Sequence, residues 1–278
     1  MDWVPPGTPS VVIVTAMDRE HTSSLYQRMV EENRRGYAEK HGASDGTHIV
    51  GFRILIHNLP GYAVFLPNVT DYDLSNPAVP STWARIPAMR HAMTLYPHST
   101  WYFYLDHNAF FMKPRVTVEQ QITSDHNLES LMIPSRSIVP PDSVIKTFQH
   151  KSASHVDFIL TQDQRSLSDD SFLLRRGDWA HFFLDSWFDG LYRSYNFQDA
   201  QAHALEHLVQ WHVSVLSRLA LVPQRIMNSY THGANNGEEY HDGDFIANLH
   251  GCQLDASRDC EHEAKPFYEH FASILRGI

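Results

Sequence analysis

Trp101-Tyr102-Phe103-Tyr104-Leu105, followed at once by Asp106-His107-Asn108, is the stretch on which the fold turns. The aromatic run reads as a central β-strand, because such side chains fit a pleated surface packed on its neighbours. Its abrupt end places a polar turn at the strand's carboxyl edge, which is where open α/β sheets bind ligands. Working outward, Val11-Val12-Ile13-Val14-Thr15 is a β-branched run without alternation, the pattern of a parallel strand covered on both faces. Residues from about Ser23 to His41 carry Leu25, Met29 and Tyr37 at helical spacing and set Glu31 against Arg35 on the solvent side, with Gly42 closing the helix. A second strand is expected over Tyr62-Ala63-Val64-Phe65-Leu66. A second helix, with Pro87 in its first turn, is expected on Met89, Ala92, Met93 and Tyr96, ending at Pro97.

Beyond the aromatic strand, Asp178 is a candidate cap for a short helix with Trp179, Phe182, Phe183 and Trp187 on one side. A longer helix is expected from about Asp199 to Leu219, with Leu205, Leu208, Val209, Leu216 and Leu219 on one face. Asp242-Gly243-Asp244 reads as a turn before a final strand near Asn248. No Gly/Ser-rich or Pro-rich linker divides the 278 residues, so the chain reads as a single α/β domain over 1–278.

Lys plus Arg number 22 and Asp plus Glu 32, a formal net charge of -10, which argues against nucleic acid as a partner and favours a cation or a polar neutral substrate. The 19 histidines are scattered and are given no collective role. No run approaches the roughly 18 apolar residues of a membrane helix, and Met1-Asp2-Trp3-Val4-Pro5-Pro6 lacks a targeting pattern. As written, the chain is expected to be soluble, with any membrane anchor upstream of it. Cys252 and Cys260 are either two thiols or one loop-closing disulfide.

Four motifs carry chemistry. Asp106-x-Asn108 has the placement of the carboxylate pair with which nucleotide-sugar transferases hold a divalent cation, which needs hard oxygen donors close together to neutralise a leaving diphosphate. Asn108 brings an oxygen without charge, so metal affinity should fall. His203 and His207 stand one helical turn apart, but the order is not H-E-x-x-H and no third ligand is near, so they read as the polar side of a helix. Asn248 and His250 are placed to reach a metal or phosphate from the final strand. Asn68-Val69-Thr70 is an N-glycosylation sequon if the chain enters the secretory pathway.

Several stretches together resemble glycosyltransferase family 34, in particular its fungal Golgi α-1,6-mannosyltransferase group, the subunits of mannan polymerase. They include Val11 to Met17, Glu32 to Gly42, Asp71-Tyr72-Asp73-Leu74-Ser75, Trp83 to His91, Trp101 to Met112, Val139 to Phe148, Ser171 to Arg176 and Asp178 to Asn228. The resemblance implies a GT-A fold, with a Rossmann-like central mixed sheet flanked by helices. It also implies a GDP-mannose donor, α-1,6-mannan of N-linked glycans as acceptor, Mn²⁺, retention of configuration, and assembly with related mannosyltransferase subunits. The domain would lie in the Golgi lumen on a single-pass anchor, where Cys252 and Cys260 should be joined.

Carried over by position, Asp106 resembles the first acid of the D-x-D motif, which implies that it binds donor and metal, with Asn108 in place of the second acid. Gln201 stands where an acid is usual, Asp170 stands where a small residue is usual, and both are candidate catalytic positions. Asn248 falls near the place of a metal-binding His, with His250 beside it. These departures cluster at the implied donor site, so two readings stand: a mannosyltransferase, or a weakened member acting as a non-catalytic assembly or glycan-binding subunit. A hydrolase built on paired carboxylates is a weaker third, since no separate acid and base can be placed. Residues 43–60 have no counterpart in the family and read as a loop insertion or an unspliced segment translated in frame.

Overall fold

A computed structural model describes residues 4–42, 61–75, 78–140, 143–149, 152–195, 197, 199–233 and 238–277. In chain order the elements are β1 (Val11–Val14), α1 (Ser24–Lys40), β2 (Tyr62–Phe65), α2 (Arg85–Leu95), β3 (Trp101–Leu105), β4 (Ala109–Phe111), α3 (Asp125–Leu131), β5 (Phe158–Gln162) and β6 (Leu167–Arg175). They continue as α4 (Asp178–Trp187), α5 (Gly190–Arg193), α6 (Ala200–Trp211), α7 (Val213–Leu216), β7 (Leu219–Leu221), β8 (Ser229–Tyr230), β9 (Ile246–Asn248) and α8 (Cys260–Arg276). Six strands form one sheet in the order β2-β1-β3-β6-β5-β7, and β4-β9-β8 form a second. β1 runs parallel to β2 and β3, whereas β6 is antiparallel to both β3 and β5, so the central sheet is mixed, as expected.

Successive side chains of a strand point to opposite faces, and here both faces are covered. Val12, Val14, Tyr102 and Tyr104 enter one core with Met89 of α2, Phe183 of α4 and Leu205 of α6. Val11, Ile13, Phe103 and Leu105 enter the other with Tyr37 of α1, Leu128 of α3 and Phe271 of α8. That is why β1 and β3 read as unbroken apolar runs. Gly36 of α1 lets α8 close in, since a Cβ there would meet Leu275 Cδ2 at 2.7 Å.

Cys252 and Cys260 are joined, with Cα atoms 5.4 Å apart, tying the loop after β9 to the start of α8. Closing so short a loop removes about 2.5 kcal/mol of chain entropy from the unfolded state. The Cys252→Ala/Cys260→Ala protein is therefore expected to lose about that much in urea denaturation, and thiol titration of the unreduced, unfolded chain to find none reactive. Two reactive thiols would contradict the bond.

Local expectations shift in three places. The single helix expected from Asp199 to Leu219 is broken, because His212 takes an extended backbone (φ -114°, ψ 101°) after α6. Leu219-Ala220-Leu221 instead forms β7 beside β5, as a buried apolar run of strand length can. Gly177, not Asp178, is the N-cap of α4, and Phe182 faces solvent while Phe183, Leu184 and Trp187 are buried. On α1, Leu25 is exposed and Tyr26 is buried, and Glu31 pairs with Arg19 at 2.6 Å. Strands β5 and β6 were not anticipated. Residues 43–60 lie outside the described residues. Among the described residues, no helix is long and apolar enough to cross a membrane.

Candidate functional site

The site forms where β3 runs out. Because β6 is antiparallel, Leu105 sits opposite Ser171, and the preceding Asp169 and Asp170 arrive beside Asp106. The Asp106 amide donates to the Asp170 carbonyl at 2.8 Å. Arg85 enters from the first turn of α2, Gln201 from the first turn of α6, and Asn248 and His250 from the end of β9 and the residues after it. With Asn108, they line one cleft of about 730 Å³, a volume in the range of ligand sites.

The turn after β3 is held from below by Arg34 of α1, whose side chain is fully buried. One terminal nitrogen donates to the carbonyls of Asp106 (2.8 Å) and Ala109 (2.6 Å), the other to Asn33 Oδ1 (2.7 Å), and Nε donates to Thr15 Oγ1 (3.2 Å). Tyr26 donates its hydroxyl to Asn108 Oδ1 at 2.8 Å, and the Asn108 amide donates to Asp106 Oδ1 at 3.0 Å. Position 108 is thus part of a hydrogen-bonded turn at the cleft edge.

Arg85 is the electrostatic centre. Its side chain is 4% exposed, and it lies 2.8 Å from Asp169, 3.5 Å from Asp106 and 3.6 Å from Asp170. Burial raises the Asp169 carboxyl above its ordinary range, with Arg85 opposing and the neighbouring Asp170 and Asp106 adding to the rise. Burial would raise Asp170 too, but a hydrogen bond and charge from His250, helped by Arg85 and Asn248, hold it below. His250 Nδ1 is 2.9 Å from Asp170 Oδ2, and its ring stacks on Tyr230 with centroids 4.2 Å apart. Burial alone would lower His250, yet the bond to Asp170 leaves it raised. A guanidinium and an imidazole with a raised pKa are therefore set among three carboxyl groups.

Asp106, Asn108, Asp170, Gln201, Asn248 and His250, all singled out from sequence, line this one cleft. As a centre for a divalent ion they fit poorly. Asp106 already faces Arg85, the Asn108 oxygen accepts from Tyr26, and Asn248 supplies one buried amide oxygen without a partner. Among the described residues, no group of three His, Cys, Asp or Glu is placed to hold a metal. Gln201 is buried, and its Oε1 accepts from Thr82 Oγ1 at 3.0 Å. His203 reaches the cleft wall, 3.5 Å from Glu206, whereas His207 lies further along α6. Asn68 is half-buried, and its Oδ1 accepts from the Arg19 amide at 3.3 Å.

Sequence reasoning passed over Arg85, Asp169, Arg34 and Tyr230. The available signal for Arg85 was a charge inside a helix turn otherwise filled by Trp83, Ala84, Ile86 and Met89, a position where only a paired charge is tolerated.

The model of the galactosyl transferase GMA12/MNN10 family matches residues 7–260. A Schizosaccharomyces pombe protein named as an uncharacterized alpha-1,2-galactosyltransferase is 29% identical over 251 residues, covering 90% of this chain and 70% of its own length. The Saccharomyces cerevisiae protein named "Probable alpha-1,6-mannosyltransferase MNN10" is 24% identical over 241 residues, 82% of this chain and 56% of its own length. An alpha-1,2-galactosyltransferase of Schizosaccharomyces pombe is 25% identical over 89% of this chain, which spans 63% of that relative. Among solved structures, a glycosyltransferase involved in the glycosylation of the major capsid of PBCV-1 superposes with a TM-score of 0.55 at 8% identity, covering 95% of this chain and 99% of that one. The likeness at that identity concerns the fold.

Proposed function

The chain belongs to the galactosyl transferase GMA12/MNN10 family, and from that premise we propose that it is a retaining hexosyltransferase that moves mannose from GDP-mannose to α-1,6-mannan of N-linked glycans. The observation that carries the reading is the cleft at the carboxyl end of β3, where Asp106, Asp170, Gln201 and His250 meet around Arg85. In the reaction the bond from the sugar's anomeric carbon to the diphosphate oxygen breaks with its electron pair on that oxygen, a bond to an acceptor hydroxyl oxygen forms, and the hydroxyl's proton passes to the departing diphosphate. Arg85 and His250 offset the carboxylates, so a diphosphate need not approach an unscreened array of negative charge. Gln201, its Oε1 held by Thr82, keeps its amide nitrogen as a fixed donor at the cleft wall. No step here runs through a metal ion.

The same proposal places the full-length protein in the Golgi lumen on a membrane anchor, assembled with related mannosyltransferase subunits, and leaves Mn²⁺ a weak ligand. The more similar relatives are named as alpha-1,2-galactosyltransferases, so galactose is the competing sugar, with UDP-galactose as the donor to test. Calorimetry with GDP-mannose, UDP-galactose, GDP and UDP, followed by transfer to an α-mannoside, tests it. Heat with GDP-mannose and mannose transfer are expected, while heat with the uridine donor alone would move the assignment to galactose. If no nucleotide binds, the non-catalytic subunit reading takes its place.

Asn108→Asp is expected to raise Mn²⁺ affinity about tenfold in an electron paramagnetic resonance titration with GDP present, because a charged oxygen replaces a neutral one. Equal affinity in the two proteins would remove position 108 from any ligand set. Transfer need not rise in step, since Gln201 and Asp170 act in the same unit.

A further inference from the structure

A row of aromatic rings leaves the cleft along α6. His203, His207 and Trp211 stand at i, i+4 and i+8 and so share one helix face, and Trp211 is 73% exposed. The Trp211 ring lies 6.3 Å from His207, which lies 5.6 Å from Tyr192. Tyr192 touches Tyr195 at 6.2 Å, Tyr195 lies 6.0 Å from Phe197 with the planes 21° apart, and Phe197 reaches His203 at 5.3 Å. His203 is part of the cleft wall. Tyr195 and Phe197 are 38% and 47% exposed. Tyr192 is buried and joins the exposed rings on either side of it; single exposed aromatics need no explanation, but several held together through a buried ring mark a surface made for contact.

We propose that this row binds the acceptor oligosaccharide, a chain of linked neutral hexoses laid along α6 with its reacting end in the cleft. The proposal rests on the transferase reading above. Two observations favour a glycan over a protein partner. The row is continuous with the cleft and ends at its wall, so whatever lies on it is delivered to the reacting position. Its rings also combine hydrocarbon faces with an imidazole near each end, which matches a pyranose: one apolar C–H face to stack on an electron-rich ring and a rim of hydroxyls to hydrogen-bond. From His203 to Trp211 the helix rises ~12 Å, room for about two or three sugar rings. The two histidines, which form no metal site, thereby acquire a role.

The test is direct binding, without donor. Wild-type chain, Trp211→Ala and Phe197→Ala are titrated calorimetrically with a linear α-linked mannotetraose and with mannose. Both substitutions are at exposed positions, so folding should be unaffected. Tetraose affinity is expected to fall about tenfold in each variant, with quenching of tryptophan fluorescence by tetraose reduced in Trp211→Ala. Unchanged tetraose affinity in both variants overturns the proposal, as does a wild-type chain that binds no tetraose at millimolar concentration. Self-association lost in Trp211→Ala, with tetraose affinity intact, gives the row to a second copy of the chain and overturns it too. GDP and UDP titrations of the same samples report separately on the donor cleft, so their failure strikes the transferase reading alone.

Discussion

Arg85→Met is expected to destabilise the protein by about 3–5 kcal/mol, read as a fall in the urea midpoint at unchanged slope. The reason is what the substitution leaves behind. Among the described residues, Arg85 is the guanidinium within 4 Å of all three of Asp106, Asp169 and Asp170, and its Nε and one terminal nitrogen also donate to the carbonyls of Thr82 (2.9 Å) and Asp169 (2.8 Å). Methionine fills a similar volume but abandons three carboxylates in a place that water hardly reaches. Arg85→Lys restores charge without the planar fork and should recover only part of the loss. The double variant Arg85→Met/Asp169→Asn should lose clearly less than the sum of the single losses, because Asp169 is the partner in closest contact. Strict additivity would show that Arg85 stabilises by packing and not by charge. GDP binding should weaken strongly in Arg85→Met even under conditions where the variant remains folded, since Asp106 and Asp169 would then lose the guanidinium that faces them and only His250 beside Asp170 would offset the carboxylates.

That a residue of such weight escaped sequence reading has a physical cause. β1 and β3 were legible because each is buried on both faces, which writes itself into the chain as an apolar run, and β2, half-buried at the sheet's edge, keeps the same apolar character. Asp106 was legible for the complementary reason, a polar turn cut into such a run. Arg85, Asp169 and His250 come together only through the antiparallel insertion of β6 between β3 and β5, a pairing across about 65 residues with no local mark in the sequence. β6 itself carries Ser168, Asp169 and Asp170 within a strand, and such residues weaken a strand pattern. The break at His212 was hidden for another reason. Leu216 and Leu219 fit the helical period of α6, and only the sheet position offered beside β5 decides for a strand. Family resemblance located the cleft residues Gln201 and Asp170 without indicating what they touch. Their surroundings, Thr82 for one and Arg85 with His250 for the other, are tertiary facts.

Arg34→Met is expected to reduce GDP affinity at least tenfold while costing about 3 kcal/mol of stability, although Arg34 lies beneath the cleft and not in it. A buried guanidinium of this kind is expensive to desolvate, and the chain retains it because no other side chain supplies donors to two carbonyls, an amide oxygen and a hydroxyl at once. Its removal leaves the Asp106 and Ala109 carbonyls without their Arg34 bonds, and each buried acceptor left unpaired costs about 1–3 kcal/mol. Relief of the desolvation penalty offsets part of that sum. What is lost beyond stability is position. Thr15 Oγ1 donates to the Leu105 carbonyl at 2.6 Å and in turn accepts from Arg34, so one network fixes the last residue of β3, the first residue of the turn and the start of β4. With the turn released, Asp106 and Asn108 sample orientations that the cleft does not use, and preorganisation is lost before the fold is. Amide hydrogen exchange over residues 106–109 should accelerate in the variant while exchange in β1 and β3 stays slow. Equal acceleration throughout would mean global destabilisation alone, and unchanged GDP affinity in a protein that exchanges faster at 106–109 would separate the turn from donor binding.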